Sequence, residues 1–179
     1  MSHLQIYTFH GLAKKYCYDQ IKDKPMEEWE STFLNYITNP RTKGVFRAAM
    51  GNVQYVLIDE FQDITQTRLE LMLQMRKLLK RDNVEPRFFT IGDINQSIYG
   101  FDKLKQGYPM DPQYYYEELR TSINPKEMWM TTNYRSYQGI LDAAFKFIPG
   151  DDVRLLPHSS EKIVAPKEQH VFIKDSTSI

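Results

Sequence analysis

An α/β architecture is predicted for this chain of 179 residues. Three observations predict it: two apolar runs of strand length that each end in an acidic turn, segments of helical period around them, and a pair of adjacent carboxylates at the first strand exit.

Leu4 to Thr8 reads as a short strand, and from His10 onward Leu12, Ala13, Tyr16, Cys17 and Ile21 recur close to helical period. After Pro25, Met26, Trp29, Phe33, Leu34 and Ile37 mark a second amphipathic helix. It ends near Asn39-Pro40, because proline disfavours helical backbone in the residue before it. Arg41 to Gly44 is expected to be a loop.

Tyr55-Val56-Leu57-Ile58 is a continuous apolar run leading into Asp59-Glu60. Parallel strands covered on both faces have this composition, and ligands sit at their carboxyl ends. Leu69, Met72, Leu73, Met75 and Leu79 restore helical period from Thr65 to Lys80, with basic residues in the last turn complementing the helix dipole. Arg87-Phe88-Phe89-Thr90-Ile91 is a second buried strand, ending at Gly92-Asp93.

Gly107, Pro109 and Pro112 make Lys103 to Pro112 a loop, followed by a helical turn over Tyr114 to Leu119. Met128 to Thr131 is a third strand candidate. A helix follows, carried by Tyr137, Ile140, Leu141, Ala144, Phe145 and Ile148 and ended by Pro149-Gly150-Asp151-Asp152. The remainder is polar apart from a short strand, His170 to Ile173.

Composition narrows the function. The 23 basic residues balance 23 acidic ones, so the whole-chain field does not draw in a polyanion, and nucleic-acid contact must come from stacking and a few aimed donors. Cys17 is the single cysteine, which excludes an internal disulfide and a cysteine zinc site and suits a reducing cytosol. No apolar run approaches the length that crosses a bilayer, and Met1 to Thr8 lacks signal-peptide character. A cytoplasmic protein without a membrane partner is expected.

Three segments carry chemistry. In Asp59-Glu60-Phe61-Gln62-Asp63, the first carboxylate suits Mg²⁺ held through water, and the second suits the base that orients and deprotonates an attacking water. A solvated acidic turn has the same composition. In Gly92-Asp93-Ile94-Asn95-Gln96-Ser97-Ile98-Tyr99-Gly100-Phe101, the Gln96 amide can donate to a phosphate oxygen. Tyr99 and Phe101 are spaced to stack on bases of a single strand, or to fill a core. In Asn133-Tyr134-Arg135-Ser136, Arg135 offers a planar fork for phosphate oxygens and Tyr134 a ring for a base.

Taken in order with Thr8-Phe9-His10, these segments resemble four consecutive motifs of UvrD/Rep-type superfamily I DNA helicases. The resemblance implies a RecA-like parallel sheet with flanking helices, the fold of a P-loop NTPase motor, and ATP-driven movement along single-stranded DNA. Residues 1–127 would form part of the first RecA-like domain and 128–179 the beginning of the second. It further implies that Asp59 holds the metal of Mg-ATP, Glu60 is the base, Gln96 contacts the γ-phosphate, and Arg135 reaches that phosphate from the second domain. Tyr134 would pack on the adenine, Tyr99 and Phe101 would contact DNA bases, and Thr8, Phe9 and His10 would line the DNA path.

The chain departs from the family in three places. No Gly-x-x-x-x-Gly-Lys-Ser/Thr occurs, so the loop that grips the phosphates is absent from these residues. Gly100-Phe101-Asp102-Lys103-Leu104 stands where many relatives carry Arg-x-Arg-Gly-Ala, and the later second-domain motifs are not recognisable. The expectation is a fragment of a helicase motor that is inactive as an ATPase alone, does not bind ATP and Mg²⁺ tightly, and relies on the missing part of the motor or an accessory protein. The alternatives are a non-catalytic module that binds single-stranded DNA or a partner, and a different nucleotide-using enzyme with the same acidic strand end.

Overall fold

Thr8 starts the first helix by capping it: its backbone is extended and its Oγ1 accepts the Gly11 N–H at 3.0 Å, as N-cap threonines do. The computed structural model of the protein describes residues 4–81, 85–97, 107, 111–130, 132–146 and 159–162. They divide into two compact units, Met1–Asn124 and Pro125–Ile179.

In the first unit, α1 (Phe9–Tyr16), α2 (Tyr18–Ile21), α3 (Trp29–Thr38) and α4 (Lys43–Met50) bring one apolar face each to a common core. Ala13, Cys17, Ile21, Phe33, Ile37 and Phe46 are buried there with Leu71 and Met75 of α5 (Gln66–Leu79). The Phe46 ring meets Tyr16 edge-on at 5.1 Å and Phe33 at 5.5 Å, the geometry that the ring quadrupole favours. The opposite side of α5 buries Leu69 and Met72 against Phe61, Ile64, and Tyr115 and Leu119 of α6 (Pro112–Ile123). Helix α5 therefore separates two cores and is apolar over more of its circumference than a surface helix.

Strands β1 (Tyr55–Ile58) and β2 (Arg87–Thr90) pair in parallel, with Val56 opposite Phe88 and Leu57 opposite Phe89. Phe88 packs against both cores and Ile58 against the second. In the second unit, β3 (Thr132–Tyr137) pairs in parallel with β4 (Ser159–Lys162), and α7 (Gln138–Phe145) follows β3.

The chain is thus a mixed α/β protein, and the strands before the acidic and Gly-Asp turns form as predicted. Four expectations are corrected. Leu4 to Thr8 is irregular, with Leu4 84% and Ile6 82% exposed; no strand among the described residues pairs with it, and Thr8 is committed to the cap. The loop over Arg41 to Gly44 gives way at Lys43 to α4, which the burial of Phe46 anchors and Gly51, at φ +58°, closes. Among the described residues the strands are covered on one face only: burial alternates along both, and Tyr55, Leu57 and Phe89 are exposed. Met128 to Met130 is irregular and exposed, without burial among the described residues to hold a strand there, and the strand begins instead at Thr132. Most of the predicted loop over Lys103 to Pro112, the segment Ile148 to Asp152 and the strand His170 to Ile173 lie outside the described residues.

Burial gives Cys17 a measurable signature. Its thiol is 1% exposed, and loss of solvation pushes its pKa from an ordinary 9.0 up to about 11. Burial favours the neutral thiol, so the associated stability is complete below the ordinary value and is lost as pH rises through the folded one. At pH 8 the native chain is expected to resist an aromatic disulfide reagent and the denatured chain to react fully. Rapid native-state labelling would put Cys17 outside the core.

Candidate functional site at the strand exits

The β1–β2 ladder continues past the strands. The Ile91 N–H donates to the Ile58 carbonyl and the Phe61 N–H to the Ile91 carbonyl, each at 2.9 Å. The two chain exits therefore leave the sheet locked side by side, and the residues that follow share one end of it.

On the β1 side, Asp59 is exposed and its Oδ1 accepts the Glu60 N–H at 3.0 Å. Glu60 sits in the left-handed region, φ +53° and ψ +48°, a conformation that costs an L-residue on the order of 1 kcal/mol. A 3₁₀ turn, Phe61–Asp63, follows and buries Phe61 and Gln62.

Gln62 is 3% exposed and satisfied at both ends of its amide. Its Nε2 donates to Glu60 Oε2 at 2.6 Å, and its Oε1 accepts the Asp93 N–H at 3.0 Å. One partner is a backbone donor and the other a carboxylate acceptor, which fixes the orientation of the amide. Its backbone carbonyl accepts the Ser97 hydroxyl at 3.2 Å.

On the β2 side, Asp93 and the 3₁₀ turn Ile94–Gln96 follow Gly92. Gln96 is exposed, and its Nε2 donates to Asp93 Oδ2 at 2.8 Å. A Cβ at Gly92 would lie 2.8 Å from Gln62 Oε1, 2.8 Å from the Tyr116 hydroxyl and 2.9 Å from the Phe61 nitrogen. Only glycine lets the second exit come this close to the first. The buried Tyr116 hydroxyl has no hydrogen-bond partner among the described residues, and burial, reinforced by the negative charge of Asp93, pushes its pKa to about 12.

Thr8-Phe9-His10 opens α1 and reaches this end of the sheet through an ion-paired link. His10 Nδ1 is 3.4 Å from Glu30 Oε1, and Glu30 is 8% exposed. Arg68 grips the same carboxylate through Nε at 2.9 and 3.0 Å and through Nη2 at 2.9 Å, while its Nη1 donates to the Asp63 carbonyl at 3.4 Å. Phe9 lies under this guanidinium, 5.7 Å from its carbon, and packs against both cores. Beside the motif, the Lys15 ammonium lies 4.6 Å from the centre of the Tyr7 ring.

In the second unit, Tyr134 and Arg135 are exposed on β3, where Asn133 Oδ1 accepts the Arg135 N–H at 2.8 Å and the Ser136 N–H at 2.6 Å. Asp59, Glu60 and Gln96 are thus at neighbouring strand exits, Tyr134 and Arg135 are in the other unit, and Tyr99 and Phe101 lie outside the described residues. Sequence reasoning passed over Gln62, Tyr116, and the pair Glu30 and Arg68. The one available signal was Gln62 itself, an amide set between Phe61 and Asp63 in the acidic turn.

The donor set fits Mg²⁺. No group of three or more metal-ligating side chains occurs among the described residues, and Mg²⁺ needs none, since one or two carboxylates with waters and phosphate oxygens complete its shell.

A parallel strand pair with carboxylates and a glutamine gathered at its carboxyl end is an arrangement of α/β proteins, which bind ligands at such strand ends. More particularly, residues 26–105 match the family model of the UvrD/REP helicase N-terminal domain, which bears out the resemblance carried by the two central motifs. Over 101 residues, 56% of this chain and 17% of the relative, the sequence is 36% identical to a Mycoplasma pneumoniae protein named "Probable DNA helicase". It is 38% identical to the ATP-dependent DNA helicase Rep of Buchnera aphidicola subsp. Schizaphis graminum over 54% of this chain and 13% of that one. It is 30% identical to an ATP-dependent helicase/nuclease component of Clostridium kluyveri over 60% of this chain and 8% of that one. The matched segments therefore span less than a fifth of these relatives.

The close approach at Gly92 is expected to make Gly92→Ala destabilising by roughly 1–3 kcal/mol, the usual cost of overpacking, measured as a lower urea midpoint at unchanged m. A neutral Gly92→Ala would show that the two exits stand further apart.

Proposed function

We propose that this chain forms part of the motor of an ATP-dependent DNA helicase or translocase acting on single-stranded DNA. In this reading Met1 to about residue 127 belongs to a first RecA-like domain and the remainder begins a second, a division supported by the break between Asn124 and Pro125. The single observation that carries the proposal is the locked pair of strand exits holding Asp59, Glu60 and Gln96 at one end of a parallel sheet.

Asp59 is assigned to the metal of Mg-ATP, where the bound ion would neutralise charge developing on the phosphates. Glu60 is the base that orients the attacking water, and Gln96 contacts the terminal phosphate. Arg135 and Tyr134, both of the second unit, are the proposed phosphate-binding arginine and adenine-stacking ring. Thr8, Phe9 and His10, with Tyr99 and Phe101, form the DNA path. Thr8, engaged as the cap of α1, and the packed Phe9 support a role in shaping that path, with Lys14 and Lys15 on the same helix facing solvent as phosphate partners.

Hydrolysis requires a phosphate-gripping loop that these 179 residues do not contain, so the chain by itself is assigned no ATPase activity and only weak nucleotide binding. A second reading, a non-catalytic module that binds DNA or a partner protein, is favoured by the solvent-facing apolar residues Tyr55, Leu57 and Phe89. The missing part of the motor or an accessory protein is the partner in either case.

Joining a P-loop segment upstream should confer DNA-stimulated ATP hydrolysis, and Glu60→Gln should lower its rate about 10²–10⁴-fold, as loss of a general base does. Hydrolysis that survives Glu60→Gln would remove the assignment of the base, and none at all in the joined chain would favour the non-catalytic module. For DNA, fluorescence anisotropy with an oligothymidylate across a salt series should show the slope of log affinity falling by about 1.4 when Lys14 and Lys15 are both replaced by Ala. An unchanged slope would take α1 off the DNA path.

A further inference from the structure

We infer that Gln62 is a positioning residue that links Gln96 to Glu60, so that a displacement of the turn bearing Gln96 is felt at the Glu60 carboxylate. The inference deepens the motor reading and rests on it for the roles of the two terminal residues. The link itself consists of three consecutive hydrogen bonds: Gln96 Nε2 donates to Asp93 Oδ2 at 2.8 Å, the Asp93 N–H donates to Gln62 Oε1 at 3.0 Å, and Gln62 Nε2 donates to Glu60 Oε2 at 2.6 Å.

A buried glutamine that merely satisfies itself needs only local partners. Gln62 instead spans 31 positions of sequence to reach Asp93 and uses its other end on Glu60. Its amide cannot reverse without facing a carbonyl oxygen toward a carboxylate and an NH₂ toward an N–H, so the link has one polarity.

Three features make the link stiff. Gln62 is 3% exposed, so its amide is held between its two partners with little water of its own to turn to. The Gly92 backbone is so close that even a methyl group would strike Gln62 Oε1. The Ser97 hydroxyl, one residue beyond Gln96, holds the Gln62 carbonyl at 3.2 Å. At the far end, Glu60 occupies a left-handed conformation in which a glutamate is not at rest, so the bond from Gln62 helps decide where its carboxylate points.

Gln96 is exposed and its side chain bonds to Asp93, which allows the link to be tested from its solvent end without disturbing the core. In the full chain labelled with ¹⁵N, the side-chain amide signal of Gln62 is the one that vanishes in Gln62→Met. Glu60→Gln should move that signal and speed exchange of its protons roughly tenfold, the factor expected for loss of one charge-assisted hydrogen bond. Gln96→Ala should move the same signal, with the backbone spectrum of α1 to α5 unchanged. A Gln62 amide that ignores Gln96→Ala would overturn the link, and one that also ignores Glu60→Gln would overturn the positioning role entirely. No nucleotide or DNA enters this measurement, so its failure is distinct from failure of the hydrolysis and DNA assays.

Discussion

Two backbone hydrogen bonds beyond the ends of the strands hold the rest of the site in place. By donating from Ile91 to Ile58 and from Phe61 to Ile91, the chain extends a parallel ladder into what would otherwise be two independent loops. Parallel strands carry no short connection between them, so their exits are held only by register and by what packs beneath. Here the packing comes from α5, whose Leu69 and Met72 bury Phe61 and Ile64 on the side that carries the acidic turn. The unusual backbone at Glu60, the absence of a side chain at Gly92 and the orientation of the Gln62 amide all follow from bringing the two exits this close.

A second constraint acts from the other side of α5. The bidentate pair Arg68–Glu30 removes most of a carboxylate from water, and such a pair persists because further hydrogen bonds complete it. The Asp63 carbonyl is such a partner, and the His10 ring lies 3.4 Å from the same carboxylate. The opening of α1 and the turn after Glu60 therefore share one ion-paired joint, although they are remote in sequence. Phe9, pressed under the guanidinium, contributes its ring to the joint and to both cores.

Much of this was legible in the residues, for identifiable reasons. Strands β1 and β2 announced themselves because each is an apolar run stopped by an acidic or Gly-Asp turn, and α5 because its period is unbroken from Leu69 to Leu79. Helix α4 was hidden by Gly44 and by having only Phe46 fully buried, which leaves no period to detect. The one-sided covering of the sheet was hidden because its solvent face is also apolar, so alternation of burial has no counterpart in alternation of residue type. Asp59, Glu60 and Gln96 could be singled out from their positions at strand ends, whereas the part played by Gln62 depends on a bond across 31 residues that no local pattern encodes. Thr8 was noticed within its motif, and its bond to the Gly11 N–H adds a local duty to whatever the motif does.

The half-covered sheet also bears on how the chain responds to heat. Apolar surface left in water in the native state is not newly hydrated on unfolding, and newly hydrated apolar surface is what gives unfolding its large heat-capacity increment. Tyr55, Leu57 and Phe89, already wet in the native state, therefore add less to that increment than buried residues of the same size.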